Sequence, residues 1–475
     1  MQNKLLKKFL SFSYGSWIGL ILGLFSTMIT TRILSPEDLG KGSMYTLALN
    51  ICIIITIFGT DQSFVRFFYE EKKENRGGLL YNCLKIPILA TITVSALIIV
   101  FHKKITIFLF GDTSLIITML LIIGVIGQLI YRYARLVIRM QQKGNLYSIL
   151  EILQKLFNLV ILVLLFTLTG ASYKIVIYST LATTIILSII AVILGKEFWN
   201  MRNFFKKNLT HSKSEIIKFG SPFVLTIFIT WLFQAFDKIA LRIWGDFEEL
   251  GLYSAAFSIV ALVIVLQNTF STFWTPVSYE KFENNPNEKE FFEMITQIVS
   301  FAMFCVAIIS IAGKDIIVLL LGSNFKEATT IMPFLVFMPL LYTLSETTVI
   351  GINFFKKTKW HILIAGISCI VNIVGNWLLV PDYGAIGASI STAIAYLIFF
   401  SLRTYISLRF FKVNYRLKKI YFMIAIISLY SLSSIKINTF NTNILLGVLA
   451  LLILIIVYRK YLTIIFRIIR SNKTI

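Results

Sequence analysis

Apolar runs of about twenty residues recur along this chain, and nothing else in it constrains the fold as strongly. A hydrocarbon core about 30 Å thick is crossed by about 20 apolar residues in a helix. Fourteen stretches have that length, at roughly 12–31, 44–64, 82–101, 114–138, 146–168, 172–194, 216–241, 252–274, 294–312, 328–352, 360–380, 384–407, 418–434 and 442–460. In lipid every backbone N–H and C=O must be satisfied within the segment, so such runs specify helices. The predicted fold class is therefore an all-α integral membrane protein with about 14 transmembrane helices. Charged residues make up only 14% of the chain, against about 25% in a soluble domain. Lys4, Lys7 and Lys8 precede the first run as in a signal peptide. That run is long and lacks a clear small-residue cleavage site, so it reads as an uncleaved first helix.

The chain carries 45 Lys and Arg against 23 Asp and Glu, a net charge of +22. Basic residues collect on the cytoplasmic side of membrane proteins. With the N-terminus placed inside, the inner side holds 34 Lys and Arg and the outer side 9, with Lys155 and Lys238 within spans. The expectation is a multi-pass protein of the bacterial cytoplasmic membrane with both termini in the cytoplasm. Sidedness accounts for most of the net charge, so no nucleic-acid partner is needed. Cys52, Cys83, Cys305 and Cys369 sit singly in or beside apolar runs, and His102, His211 and His361 lie far apart. Neither set suggests a disulfide framework, and no metal or other cofactor is expected. The longest connections, about 195–215 and 275–293, are charged and on the inner side; the outer loops are short.

Two stretches repeat at an offset of about 210 residues. Arg32-Ile33-Leu34, Glu37-Asp38-Leu39-Gly40, Ser43 and Tyr69-Glu70 correspond to Arg242-Ile243-Trp244, Glu248-Glu249-Leu250-Gly251, Ser254 and Tyr279-Glu280. A weaker pair sets Asn158 through Gly170-Ala171 against Asn376 through Gly387-Ala388. Six helices separate equivalent positions, so the halves keep one orientation, as in transporters built from parallel repeats. The predicted organisation is a six-helix bundle at 1–194, a cytoplasmic linker at 195–215, a second six-helix bundle at 216–410 related to the first by a pseudo-two-fold axis, and two further helices with a tail at 411–475.

The same residues resemble a known family. Arg32 through Ser35-Pro36-Glu37-Asp38 to Gly40, and Phe58 through Asp61 and Arg66 to Glu70, resemble the first outer turn and second-helix end of the polysaccharide (O-antigen, Wzx-like) flippases. So do Phe236-Asp237-Lys238 through Arg242, Leu250 through Ala256, Val371-Asn372 through Asn376, and Pro381 through Ala388. The resemblance runs over the whole chain with the motifs in order. It places the chain in the multidrug/oligosaccharidyl-lipid/polysaccharide exporter superfamily. What it implies is two six-helix bundles around a central cavity and two extra C-terminal helices. It also implies alternating-access transport of an undecaprenyl-diphosphate-linked oligosaccharide for surface polysaccharide such as O-antigen or capsule. Membrane lipids and polysaccharide polymerase or assembly proteins are the implied partners.

Candidate site residues are charges near or inside spans. Arg132, Arg135 and Arg139, at i, i+3 and i+7, are expected on one helix face near the inner end of the fourth span, where guanidinium forks suit phosphate. Snorkelling anchors are the plainer reading. Arg66 ends the second span; Arg32 and Arg242 hold equivalent positions at the outer ends of the halves, against the inside bias. Each could bind diphosphate or simply cap a helix. Asp237 and Lys238 lie inside the seventh span, where charges are functional candidates: Asp237 for a cation or proton, Lys238 for phosphate. Glu151 and Lys155 are spaced for an i, i+4 ion pair, with a cavity relay as the alternative. Glu346 has no basic residue within one turn and is a further candidate for ion coupling. Gly15, Gly19 and Gly23 form a stripe expected to let helices pack closely. Pro87, Pro222, Pro333 and Pro339 are candidate kinks.

Three other functions compete with the polysaccharide flippase. A cation-coupled drug exporter of the same superfamily usually has twelve helices and few cavity arginines, and a peptidoglycan-precursor flippase shares the fourteen helices but fits the turn motifs less well. A polytopic lipid-sugar enzyme such as an oligosaccharide polymerase would show a large outer loop with clustered acidic or His groups, and this chain shows neither.

Overall fold

The computed structural model describes residues 2–200, 209–285, 288–436 and 439–471, with side chains described from 14 to 461 within those ranges. Part of the expected linker, 201–208, lies outside the described residues. All regular structure among the described residues is helical. Among the described residues thirteen helices are long and apolar enough to cross a bilayer. Val100, Leu168 and Leu89 are 72%, 72% and 66% exposed, which a lipid environment accommodates and water does not.

The chain divides into two compact units, Met1–Ala235 and Phe236–Ile475. The first holds α1 (Gln2–Ile33), α2 (Pro36–Ile57), α3 (Thr60–Phe67), α4 (Arg76–Val100), α5 (His102–Phe110), α6 (Leu115–Met140), α7 (Gly144–Thr169) and α8 (Tyr173–Leu194). The next helix, α9 (Lys213–Trp244), crosses the boundary. Helix starts follow local chemistry. Ser35 caps α2, its Oγ accepting the Asp38 N–H at 3.2 Å, with Pro36 at the first helical position, where its missing N–H costs nothing. Ser114 and Ser172 cap α6 and α8 in the same way. α1 packs along α7, and α6 and α7 both pack on α8. The expected glycine stripe behaves unevenly. A Cβ at Gly15 would stand 2.6 Å from Ser148 Cα, so α1 and α7 touch there. At Gly19 the nearest atoms would be 3.9 Å away, and Gly23 faces open space.

The second span is not one helix. Phe58 (φ 51°) and Gly59 (φ 71°) both adopt left-handed backbone between α2 and α3. A Cβ at Gly59 would stand 2.1 Å from the Gly220 carbonyl oxygen, and one at Gly220 2.7 Å from that of Gly59. Backbone meets backbone there, which only paired glycines permit.

The second unit holds α10 (Phe247–Asn284), α11 (Lys289–Ala312), α12 (Lys314–Val318), α13 (Ala328–Leu335), α14 (Phe337–Thr348), α15 (Ile350–Phe354), α16 (Lys359–Phe410), α17 (Leu417–Lys436) and α18 (Phe440–Ser471). α10 continues through part of the connection expected at 275–293. The expected span 328–352 is three helices in succession, with Pro333 removing an N–H from the ladder of α13 and Pro339 in the first turn of α14, where an N–H has no partner within the helix. α16 has 52 residues, far more than the about 20 that one crossing needs. It breaks at Gly384 (φ 50°, ψ −132°), three residues after Pro381. The expected spans 360–380 and 384–407 are its two arms, which brings the thirteen helices to fourteen crossings.

Each unit closes the same joint. In the first, Asp38 Oδ1 accepts the backbone N–H of Tyr173 at 2.8 Å, tying the start of α2 to the start of α8. In the second, Asp246 caps α10 by accepting the Glu249 N–H at 2.8 Å, and the Glu249 carboxylate accepts the backbone N–H of Ala385, where the second arm of α16 begins. Asp38 and Glu249 are the paired acidic letters of the sequence repeat.

Candidate functional sites

In the first unit the break after α2 builds a cavity wall. α3 restarts with Thr60, whose Oγ1 bonds the Ile57 carbonyl at 2.8 Å and Tyr133 Oη at 2.7 Å. This sets Asp61, 1% exposed, against α6. Asp61 Oδ2 accepts Arg132 Nη2 at 2.7 Å and Nε at 3.3 Å. The Arg132 side chain remains 49% exposed and lines a cavity of about 420 Å³. Asn50, Ile53 and Ile54 of α2 and Thr230 and Trp231 of α9 share that lining. A fixed guanidinium therefore borders a largely apolar surface.

The three arginines of α6 do not act as one stripe. Arg132 turns to Asp61, while Arg135 turns to α7, where Glu151 stands at 3.7 Å and the Tyr147 ring centroid at 4.4 Å. Positions i and i+3 differ by about 60° around a helix, and acidic partners on different neighbours widen that difference. Arg139 is exposed. Glu151 also accepts Ser16 Oγ at 3.1 Å. The expected Glu151–Lys155 pair is thus replaced by Glu151–Arg135, and Lys155 faces a separate polar cavity. Arg66 is exposed and pairs with Glu70 on its own segment. Arg32 is exposed. In the second unit Arg242 is half-buried and lies over the Phe247 ring at 4.3 Å, and Lys238 is half-buried. The predicted cations thus belong to different local settings.

Asp237 is the centre of the second unit's polar core. It is 2% exposed. Its Oδ1 accepts Asn376 Nδ2 at 2.8 Å and Asn372 Nδ2 at 3.1 Å. Its Oδ2 accepts Tyr253 Oη and Thr392 Oγ1, each at 2.5 Å. Among the described residues no cationic atom lies within ion-pair distance of it. α9, α10 and both arms of α16 meet at this one carboxylate. Asn372 and Asn376 are one helical turn apart, so both amides reach the same group. Their carbonyl oxygens are buried and accept no protein donor. Turning either amide about its last torsion exchanges a donor for an acceptor. The same side chains thus offer either donors around a carboxylate or a nest of hard oxygens suited to a small cation.

Glu346 is not the lone carboxylate its sequence neighbours suggest. Arg403, 6% exposed, reaches it across the unit from the second arm of α16, with Nη1 2.8 Å from Glu346 Oε1 and 2.6 Å from Ser345 Oγ. Tyr342 and Phe399 flank that guanidinium at 5.5 and 5.0 Å from their ring centroids. Sequence reasoning missed Asp61 and Arg403, whose partners are 71 and 57 positions away. Asn372 and Asn376 lie within a sequence motif, and two amides one turn apart in an apolar run are its readable signal.

The fold is that of multi-pass membrane transporters. The lipid II flippase MurJ in an inward closed conformation superimposes with a TM-score of 0.68 at 17% identity, covering 95% of this chain and 99% of that one. An inward-facing multidrug resistance MATE family transporter of the MOP superfamily gives 0.63 at 15% identity, covering 83% and 96%. A MOP superfamily transporter from Pyrococcus furiosus, described as having a binding pocket of reverse polarity, gives 0.58 at 14%, covering 85% and 95%. At these identities the likeness is one of fold. The chain itself belongs to the polysaccharide biosynthesis protein family, which it matches over residues 5–282. None of the curated proteins matches it in sequence.

Proposed function

We propose that this protein is a flippase that carries an undecaprenyl-diphosphate-linked oligosaccharide across the bacterial cytoplasmic membrane by alternating access, for surface polysaccharide assembly. The observation that carries this reading is Arg132, held by buried Asp61 at the wall of a cavity whose other lining is mostly apolar. Such a substrate pairs a diphosphate with a long hydrocarbon chain. Bare diphosphate in hydrocarbon is prohibitively costly, and a guanidinium forks onto phosphate oxygens while staying charged. Arg132 is the lead phosphate contact in this reading; Arg66 and Arg139, both exposed, are secondary ones. Asp237 takes the coupling cation or proton, since Glu151 and Glu346 are already paired with arginines.

Deleting the gene in its source cell and analysing lipids by mass spectrometry tests the function. Lipid-linked saccharide should accumulate and surface polysaccharide should fall; an unchanged lipid pool with normal polysaccharide overturns the reading. In complementation, Arg132→Ala should lose most export at normal membrane abundance, and Arg132→Lys should rescue it only in part, because Lys lacks the fork. Full export by Arg132→Ala removes Arg132 from the mechanism.

A further inference from the structure

A second cavity of about 420 Å³ lies inside the first unit, among α1, α2, α6, α7 and α8. It is unlike the cavity bordered by Arg132. Leu49 is its one bulky apolar lining residue; nearly all the others carry a hydroxyl or a side-chain amide. Lys155 stands in it, at the twelfth position of the 26-residue α7, close to the middle of a helix about 39 Å long. An ammonium at that depth is costly unless water or a partner meets it. No Asp or Glu lines this cavity, and the nearest carboxylate in sequence, Glu151, is engaged by Arg135 and Ser16. Among the described residues that line it, the cavity presents one cation and no carboxylate, amid groups that make hydrogen bonds.

Those groups are arranged to receive a ligand. Gln128 Nε2 and Asn158 Nδ2 point at Thr184 Oγ1 and Thr180 Oγ1, both at 3.4 Å, so their carbonyl oxygens keep acceptor capacity. Thr183, 2% exposed, has a hydroxyl with no protein partner. Gly23 leaves one wall bare. A volume of several hundred Å³ with placed polar groups is in the range of small-ligand sites.

We propose that this cavity is a subsite for an acidic sugar, a uronic acid unit of the transported saccharide, with its carboxylate on Lys155 and its hydroxyls on the amides and threonines. This rests on the lipid-linked saccharide reading. The chemistry separates the sugar from the rest of that substrate. A diphosphate carries about two charges and favours guanidinium forks, whereas this cavity offers one ammonium. A prenyl chain has no place among hydroxyls and amides. A ring with one carboxylate and several hydroxyls matches both the charge and the hydrogen-bonding lining.

The test uses full-length protein in lipid nanodiscs and calorimetric titration with glucuronate, glucose and inorganic phosphate at constant ionic strength. Glucuronate should bind at least about tenfold more tightly than glucose, the scale expected for a charge-assisted contact, and more tightly than phosphate. Lys155→Gln should lose at least about that factor, and Lys155→Arg should keep most of it. Gly23→Leu makes a test independent of charge: its side chain enters open space on the cavity wall, narrows the cavity and should weaken glucuronate binding at least about tenfold. Absence of glucuronate binding, equal binding by Lys155→Gln or Gly23→Leu, or tighter binding of phosphate overturns the proposal. The gene-deletion lipid analysis is separate. Accumulated lipid-linked saccharide without glucuronate binding sinks only this subsite; glucuronate binding without accumulation sinks only the lipid-carrier reading.

Discussion

Arg403 and Glu346 form an ion pair with side chains only 7% and 14% exposed. Removing one member of a buried pair strands the other's charge, at a cost of about 3–5 kcal/mol. Arg403→Met should therefore lower the thermal midpoint of detergent-solubilised protein sharply, and Arg403→Met with Glu346→Gln should recover much of the loss. A single variant as stable as the parent would show that the pair carries no structural load. Asp237 calls for a different measurement. A ligand that binds only the folded state stabilises it by mass action, about 1.4 kcal/mol at ten times Kd. If Asp237 takes a cation, sodium or potassium at fixed ionic strength should raise the midpoint of the parent and leave Asp237→Asn unmoved; a proton-only site responds to pH and not to salt. Indifference of the parent to both excludes coupling at Asp237. The sequence shows which residues are charged inside spans, and Asp237 stands out on that ground alone. It hides their partners, because helices far apart in the chain supply them. Glu346 looked solitary only because Arg403 arrives from another helix, and Arg135 chose Glu151 on α7 over the face it shares with Arg132.

Fourteen crossings were legible because hydrophobic length is a local property, and every predicted run falls on helix. Interruptions were not. The break between α2 and α3 depends on Gly59 meeting Gly220, and no periodicity reports a backbone contact between residues 161 positions apart. The turn between the two arms of α16 is likewise made by backbone: Gly384 leaves helical φ/ψ, and the next N–H, that of Ala385, goes to Glu249. The α2–α3 break makes a definite prediction. A methyl group at Gly220 would lie 2.7 Å from the Gly59 carbonyl oxygen and 2.9 Å from its carbon. Backbone cannot yield as a side-chain tip does, so Gly220→Ala should cost about 1–3 kcal/mol, the range for overpacking, read as a lower thermal midpoint. Gly366→Ala, where a Cβ meets nothing within 4 Å, is the matched control and should be neutral or slightly stabilising. Equal stability of the two variants would contradict the contact.

For the whole molecule, the division of 34 basic residues against 9 predicts sidedness. Reporter fusions after residues 205, 285 and 475 should read cytoplasmic, and those near 110 and 325 external; an external reporter at 475 refutes the even number of crossings. The joints that recur in the two units carry a consequence for inheritance. Asp38 reaches the N–H of Tyr173 past Ser172, whose backbone is extended at φ −168° and suits any residue. Glu249 is one methylene longer, and a Cβ on residue 384 would stand 2.3 Å from its carboxylate oxygens. The longer acid thus occupies the space that glycine leaves. Among descendants of this chain, position 384 is committed to glycine by its own backbone (φ 50°, ψ −132°), whatever stands at 249. Position 172 carries no such demand on its backbone, so the turn of the first joint can vary in sequence while that of the second keeps its glycine.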